Sequence, residues 1–172
     1  MTEFKILFTG TMGAGKTTAI GAISEIPPLR TDVHNTDLSV CKLTTTVGLD
    51  YGEVTLESGE KIRLYGTPGQ QRFDFMWDIL SKGALGLIML IDNSRPDPLA
   101  DLDVYLDGFA SLIARTACVV GVGKTENFPQ PALDIFAARM QAKGVLSPVV
   151  ATDVRDTQQV LQLLDLLLLQ LE

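Results

Sequence analysis

The amino-acid sequence predicts a three-layer α/β fold, in which a mostly parallel six-stranded sheet with one antiparallel strand carries helices on both faces. Strand-like and helix-like stretches alternate along the chain with short connections, which favours parallel strands joined by crossover helices. Residues 84–91 and 117–122 are continuous apolar runs, which are typical of strands buried on both faces. We expect residues 1–172 to form a single domain.

The predicted elements follow from hydrophobic periodicity and from the positions of glycine and proline. A strand at residues 3–9 leads into a helix at 16–25, which Pro27 and Pro28 terminate. Residues 29–46 lack clear periodicity and are predicted to form a long loop. The remaining elements are predicted as strands at 47–56 and 61–65 joined by a hairpin turn, a helix at 73–81, a strand at 84–91, a helix at 96–114, a strand at 117–122, a helix at 131–142, a strand at 147–151 and a helix at 156–171.

Residues 10–17, Gly-Thr-Met-Gly-Ala-Gly-Lys-Thr, match the phosphate-binding pattern G-x-x-x-x-G-K-[ST] between a predicted strand and a predicted helix. Its backbone amides and the helix N-terminus suit phosphate oxygens, so the predicted fold is that of a P-loop NTPase. We expect Lys16 to bridge the β- and γ-phosphates and the Thr17 hydroxyl to ligate Mg²⁺. The predicted nucleotide contacts in this segment are Gly10, Gly13, Ala14, Gly15, Lys16, Thr17 and Thr18.

Composition and charge exclude several classes of partner. The net charge of −7 argues against a nucleic-acid partner. Cys41 and Cys118 lie far apart in sequence, which indicates a reducing compartment without a disulfide framework. No signal peptide, lipidation cysteine or membrane-spanning apolar stretch is evident. We therefore expect a cytoplasmic protein without a transmembrane segment or lipid anchor.

Two further segments carry a family resemblance. Residues 65–73, Tyr-Gly-Thr-Pro-Gly-Gln-Gln-Arg-Phe, resemble the second switch of the Ras-like small GTPases, D-x-x-G-Q, and residues 46–51 resemble the first switch of Rab-type members. The G-T-P-G-Q form is similar to the bacterial members, which include MglA-type and conservon-type GTPases. The resemblance implies a two-state switch that binds GTP or GDP with Mg²⁺ and hydrolyses GTP slowly. It also implies effector and regulator proteins as partners, a roadblock-domain protein among them.

The resemblance assigns roles to residues of both switches. Thr46 would ligate Mg²⁺ and contact the γ-phosphate, although Thr44 and Thr45 compete for this assignment. Gly69 would offer its backbone amide to the γ-phosphate, and Gln70 would be the catalytic residue that orients the attacking water.

The chain departs from the family pattern at the second switch. The family's Asp at its start, which supports the metal, is Gly66 here. Two acids qualify as substitutes: Asp50, four residues after Thr46, is the first candidate for the metal, and Asp92 is the second. The aromatic-rich segment at residues 73–77 is predicted to pack mainly on the sheet, with one or two side chains left as a partner surface.

The base-reading loop is the weakest match. The family has N-K-x-D where residues 123–126 read Gly-Lys-Thr-Glu. By resemblance, Glu126 would accept hydrogen bonds from guanine, Lys124 would cover the base, and the Thr152 amide would contact it. Two alternatives therefore remain open: an ATP-using P-loop enzyme, and a nucleotide-binding adaptor that has lost hydrolysis, which Gly66 and Met12 would favour.

Overall fold

The computed structural model describes residues 2–27, 29–35, 45–69 and 74–172, and these contain a seven-stranded sheet. The strands are β1 (Glu3–Gly10), β2 (Leu29–Asn35), β3 (Thr45–Thr55), β4 (Lys61–Gly66), β5 (Ala84–Asp92), β6 (Ala117–Gly123) and β7 (Val149–Ala151), in the spatial order β2-β3-β4-β1-β5-β6-β7. Among these strands β3 runs opposite to the other six: its pairings with β2 and β4 are antiparallel, and the four remaining pairings are parallel. The prediction of a mostly parallel sheet with one antiparallel strand is thus confirmed, but the predicted number of six strands is wrong.

The additional strand, β2, lies in the segment that the sequence predicts as a loop. It pairs antiparallel with β3, from Leu29 opposite Tyr51 to Asn35 opposite Thr45. β2 is an edge strand and most of its residues are polar. The strand is held by backbone hydrogen bonds to β3 and does not depend on an apolar face. Its sequence therefore lacks the alternation of apolar residues that would predict a strand.

The helices of the described residues are α1 (Lys16–Ile23), α2 (Phe75–Ser81), α3 (Pro98–Gly108), α4 (Ala110–Arg115), α5 (Leu133–Ala142) and α6 (Thr157–Leu169). The single helix predicted at 96–114 is therefore two helices, separated at Phe109, whose backbone leaves the helical region (φ −110°, ψ 17°). At the start of α3 the Asp97 carboxylate accepts a hydrogen bond from the Ala100 amide (3.1 Å), which satisfies a free helix N–H.

Two apolar clusters fill the two faces of the sheet. Successive residues of β1 alternate between them: Ile6 and Phe8 pack with α1 and α6, whereas Leu7 packs with α2, α3, α4 and α5. The prediction of helices on both faces is confirmed. This sandwich fixes the carboxyl ends of the parallel strands at one edge, where the loops that carry the sequence motifs begin.

The aromatic-rich segment belongs mainly to the core. Met76 is fully buried and Trp77 is 3% exposed, and the Trp77 ring stacks on Phe109 with centroids 5.0 Å apart. Phe75 is half-buried, and Phe73 lies outside the described residues. The burial of Met76 and Trp77 agrees with the expectation that this segment packs mainly on the sheet, because α2 uses both to cover it. A partner surface formed by one or two other side chains of the segment stays a prediction. In the described ranges, no helix combines the length and the apolar character needed to cross a bilayer.

We predict that the Cys118 thiol is unreactive in the folded protein. It is 1% exposed, and burial raises its pKa to about 12, so only about one thiol in 10⁴ is ionised at pH 8. In a Cys41→Ser variant, Ellman's reagent should react with Cys118 only after denaturant is added. The matched Cys118→Ser variant retains Cys41, and its reaction with the reagent measures the reactivity of that thiol alone. Rapid labelling of the folded Cys41→Ser variant would contradict the prediction.

Candidate functional site

The phosphate-loop motif forms the turn between β1 and α1. Gly10 and Gly15 adopt positive φ values of 150° and 102°, which favour glycine. Space also requires glycine, since a Cβ on Gly10 would lie 2.3 Å from the Leu90 carbonyl oxygen and one on Gly15 would lie 2.6 Å from the Val154 side chain. The loop is therefore packed between β5 and the segment after β7.

Lys16 is a cation held inside this loop. Its side chain is 8% exposed, and its Nζ donates hydrogen bonds to the Gly10 and Thr11 carbonyl oxygens, at 2.6 and 2.8 Å. Burial lowers its pKa to about 8, although the nearby Asp50 carboxylate raises it in part. An ammonium surrounded mainly by backbone dipoles favours an anionic ligand.

The first candidate for the metal-supporting acid lies beside the phosphate loop. The Thr17 hydroxyl donates a hydrogen bond of 2.5 Å to Asp50 Oδ2. Asp50 in β3 is the cross-strand partner of Gly66 in β4, and a Cβ on Gly66 would lie 3.2 Å from the Asp50 Cβ and 3.4 Å from Oδ2. The Asp50 side chain thus occupies the space next to the glycine that replaces the family's acid. A hydroxyl and a carboxylate are the oxygen donors that Mg²⁺ prefers, so this pair fits the metal. The described residues contain no group of three or more His, Cys, Asp or Glu side chains suited to a metal ion.

The second candidate, Asp92, is wrong for the metal role. Its Oδ1 accepts hydrogen bonds from the Ser94 amide (2.9 Å) and hydroxyl (2.6 Å), and its Oδ2 forms an ion pair with Lys124 Nζ (2.9 Å). Its Oδ1 is therefore held by the loop after β5 and its Oδ2 by the loop after β6, so both oxygens are engaged by partners other than Thr17.

The segment predicted to begin the second switch lies against the phosphate loop. A Cβ on Gly69 would lie 2.7 Å from the Met12 amide nitrogen and 2.8 Å from Lys16 Nζ. Before it, the buried Thr67 hydroxyl donates to the Thr9 hydroxyl at 2.7 Å, a link that the motifs did not indicate. Gly69 thus lies against the phosphate loop, and the contact of its amide with a γ-phosphate stays a prediction. The Met12 side chain is 61% exposed.

A cavity of about 530 Å³ extends from the phosphate loop to the loops after β6 and β7. The predicted contacts that line it are Gly13, Ala14, Gly15, Thr18, Lys124, Glu126 and Thr152. Tertiary structure therefore brings together loops that are more than 100 residues apart in sequence.

Three carboxylates line this cavity, and two of them are paired. Asp92 pairs with Lys124, as described above. Asp153 accepts hydrogen bonds from the Arg155 guanidinium at 2.8 and 2.9 Å, and these bonds lower its pKa to about 2. Glu126 is exposed and forms no hydrogen bond or ion pair with any described residue, although its charge is one of the influences that raise the pKa of the Arg155 guanidinium, after the hydrogen bond to Asp153. The sequence motifs did not indicate Asp153 or Arg155.

The expectation for the Thr152 amide is wrong. Its N–H already donates to the Val122 carbonyl oxygen at 2.9 Å, which extends the pairing of β7 with β6. The Thr152 hydroxyl is buried and has no hydrogen-bond partner within the described ranges. Thr152 does line the cavity, but the free amide that the resemblance implied is used by the sheet.

Gln70, Thr44 and Thr46 are the remaining residues of the two predicted switches. Gln70 lies outside the described residues, as does Thr44. Thr46 belongs to β3, where its backbone is paired opposite His34. Their assigned roles stay predictions.

Comparisons with known proteins agree with a nucleotide site. Residues 39–164 match the model of a family described as "Conserved hypothetical ATP binding protein". The chain is 31% identical to ADP-ribosylation factor-related protein 1 of Homo sapiens over 99 residues, which cover 58% of this chain and 47% of that protein. It is 25% identical to intraflagellar transport protein 22 of Chlamydomonas reinhardtii over 124 residues, covering 69% and 60%.

A shorter match links the chain to an uncharacterized protein of Methanocaldococcus jannaschii, with 40% identity over 50 residues, 29% of this chain and 32% of that protein. The chain thus spans less than two thirds of the length of each of these three relatives. The family match is broader and covers most of the chain. Together with the phosphate loop, these findings show a P-loop nucleotide-binding protein that belongs to the family of conserved hypothetical ATP-binding proteins.

Proposed function

We propose that this protein is a small GTP-binding protein of the Ras-like group, which alternates between GTP-bound and GDP-bound states and slowly hydrolyses GTP. The similarity to ADP-ribosylation factor-related protein 1 supports this group. The G-T-P-G-Q form of the second switch supports the bacterial, MglA-like branch.

The observation that carries the proposal is the unpaired carboxylate of Glu126 in the cavity that begins at the phosphate loop. Guanine presents two adjacent donors, N1–H and the N2 amino group, to a carboxylate. Asp92 and Asp153 are already neutralised by Lys124 and Arg155. Glu126 is therefore the cavity's available acceptor for guanine, while the Lys124 stem can cover the base.

At the other end of the cavity, Lys16 and the loop amides would bind the phosphates. Thr17, Asp50 and, from the first switch, Thr46 would hold Mg²⁺, with Asp50 acting in place of the missing acid at Gly66. The ion would neutralise charge on the phosphates. The Thr17–Asp50 hydrogen bond supports this assignment, because it directs both oxygens to one point beside the phosphate loop.

Hydrolysis would require Gln70 to orient a water whose oxygen bonds to the γ-phosphorus as the bond to the β–γ bridging oxygen breaks. The products are GDP and inorganic phosphate. Gly69 and Thr46 would contact the γ-phosphate only in the GTP state, and loss of these contacts would change the surface that partners bind. We propose cytoplasmic effector and regulator proteins as these partners, a roadblock-domain protein among them.

ATP is the second candidate ligand, because the family description names it. Adenine offers an acceptor at N1 beside its amino donor and so suits Glu126 less well. Identification of the nucleotide that copurifies with the protein, by chromatography after denaturation, separates the two candidates. A hydrolysis-deficient adaptor would bind GTP in the same way and would leave it intact.

We predict that Glu126→Ala weakens GDP binding by about tenfold or more, since a hydrogen bond to a charged group contributes about 1.5–3 kcal/mol. ADP affinity should scarcely change. Titration calorimetry of both nucleotides measures this. Asp153→Asn is the matched control: it alters a carboxylate of the same cavity that is already paired with Arg155, and it should affect GDP much less. Equal affinity of the wild type for ADP and GDP would refute the guanine assignment.

We expect a carboxylate at position 66 of β4 to replace the carboxylate of Asp50 in β3. We predict that Asp50→Gly abolishes the Mg²⁺ dependence of GDP affinity and that Gly66→Asp alone impairs binding, since its side chain would meet Asp50. The double variant Asp50→Gly/Gly66→Asp should recover most of the Mg²⁺ dependence, because the two positions are cross-strand neighbours. Calorimetry with and without EDTA measures it; a double variant no better than Asp50→Gly would count against the metal role.

We predict a turnover of about 10⁻³ s⁻¹ or less for the isolated chain, in the range of unassisted switches. Gln70→Leu should slow single-turnover hydrolysis further and leave GTP binding intact. Gln71→Leu, a change of the same size one residue later, is the matched control and should retain the wild-type rate. If both variants hydrolyse GTP equally fast, Gln70 has no catalytic role.

A further inference from the structure

The loop after β6 is held by two consecutive residues at the end of β5. β5 and β6 are parallel neighbours, with Asp92 opposite Gly123, and the Asn93 amide donates to the Gly123 carbonyl oxygen at 3.1 Å. The two side chains at 92 and 93 therefore stand where the base-reading loop leaves the sheet. Neither belongs to the motifs of the sequence.

Asp92 holds the near end of this loop. Its side chain is buried, and its Oδ2 lies 2.9 Å from Lys124 Nζ, while Ser94 fixes Oδ1 through two hydrogen bonds. Lys124 has a φ of 61°, and no other non-glycine residue in the described part of the chain has a positive φ. Such a backbone conformation is unfavourable for lysine and persists only where surrounding contacts fix it.

Asn93 holds the far end. It is 2% exposed, and its Nδ2 donates to the Phe128 carbonyl oxygen at 2.6 Å and to the Pro131 carbonyl oxygen at 3.2 Å. Inside the loop, the Phe128 amide donates to the Lys124 carbonyl oxygen at 3.0 Å. Residues 124–128 thus form a closed turn that is anchored at both ends, with Glu126 between the anchors.

Gly123 has no side chain with which to hold this loop, whereas the Ras-like pattern has Asn at this place. A Cβ at this position would meet only the Ile91 and Thr152 carbonyl oxygens, each at 3.7 Å, so the space would admit a side chain. The contacts that replace such an anchor come from β5.

We propose that Asp92 and Asn93 are positioning residues for nucleotide-base recognition: Asp92 sets the Lys124 side chain over the base, and Asn93 fixes the turn that presents Glu126. The inference rests on the proposed function, because it assumes that a guanine base occupies this end of the cavity. The inference goes beyond the proposed function because it states that residues at the end of β5 fix the conformation of the base-reading loop. The phosphate loop then contributes affinity that does not depend on these two residues.

The test compares GDP with inorganic pyrophosphate, a base-free anion for the phosphate loop. Asp92→Asn preserves shape but removes the charge that holds Lys124, and it should raise the GDP dissociation rate about tenfold while pyrophosphate affinity stays within about twofold. Asp101→Asn is the matched control, since Asp101 pairs with Arg95 and does not line the cavity. It should change neither value. Equal losses for GDP and pyrophosphate in Asp92→Asn would indicate general disruption and overturn the proposal.

A double-mutant cycle tests whether Asp92 acts through Lys124. Asp92→Asn/Lys124→Met should release GDP no faster than Lys124→Met alone, because both variants remove the same positioning. If Asp92→Asn does not fold, Ser94→Ala replaces it in the cycle: it removes one hydrogen bond to Asp92 and should accelerate GDP release by about two- to threefold, again only when Lys124 is present. Additive effects would overturn the proposal.

For Asn93, the variant Asn93→Asp places a carboxylate against the Phe128 and Pro131 carbonyl oxygens. It should accelerate hydrogen exchange of the Phe128 amide and weaken GDP but not pyrophosphate. Unchanged exchange and GDP affinity would exclude Asn93 from the role. The affinities of the wild type for GDP and ADP are measured before any variant is compared. If the wild type binds GDP no better than ADP, the proposed function is wrong, whatever the variants show.

Discussion

The contacts of the buried Lys16 ammonium organise the edge of the sheet where the parallel strands end. The ammonium lies at the junction of β1 and α1, it is bound by two carbonyl oxygens of the phosphate loop, and Gly69 of the second switch approaches it so closely that a Cβ there would lie 2.8 Å away. Burial of a charge is costly unless an opposite charge or strong dipoles offset it. The site therefore combines a fixed cation with loop amides, and an anionic phosphate satisfies both.

The acid beside Thr17 shows how sheet register allows a functional group to change its position in sequence. Asp50 and Gly66 face each other across β3 and β4, so a carboxylate on either strand reaches the same volume. The glycine at 66 leaves room that the Asp50 side chain fills. In the proposed metal site, Asp50 would supply in space the acid that the motif lacks along the chain, and the hydrogen bond from Thr17 supports this proposal.

The two ends of the cavity are built from different kinds of interaction. At the phosphate end, backbone groups and one buried cation dominate, and glycines make the close packing possible. At the base end, ion pairs between side chains dominate: Asp92 with Lys124 and Asp153 with Arg155, whose cations are exposed. Such exposed pairs are weakened by salt, whereas the contacts of the buried Lys16 are screened much less.

The sequence alone determined the layered α/β class and the position of the phosphate loop, because apolar runs, glycine spacing and a strand–loop–helix order are local signals. It also named Asp50 as the first candidate for the missing acid, a role that stays a prediction. It did not determine strand β2, a polar edge strand whose pairing depends on β3, or the break at Phe109 between helices α3 and α4. Nor did it determine the pairing of Asp92 with Lys124 or the use of the Thr152 amide by Val122. These features depend on which strands become neighbours, and hydrogen bonds between residues about 30 positions apart exist only once the sheet has formed.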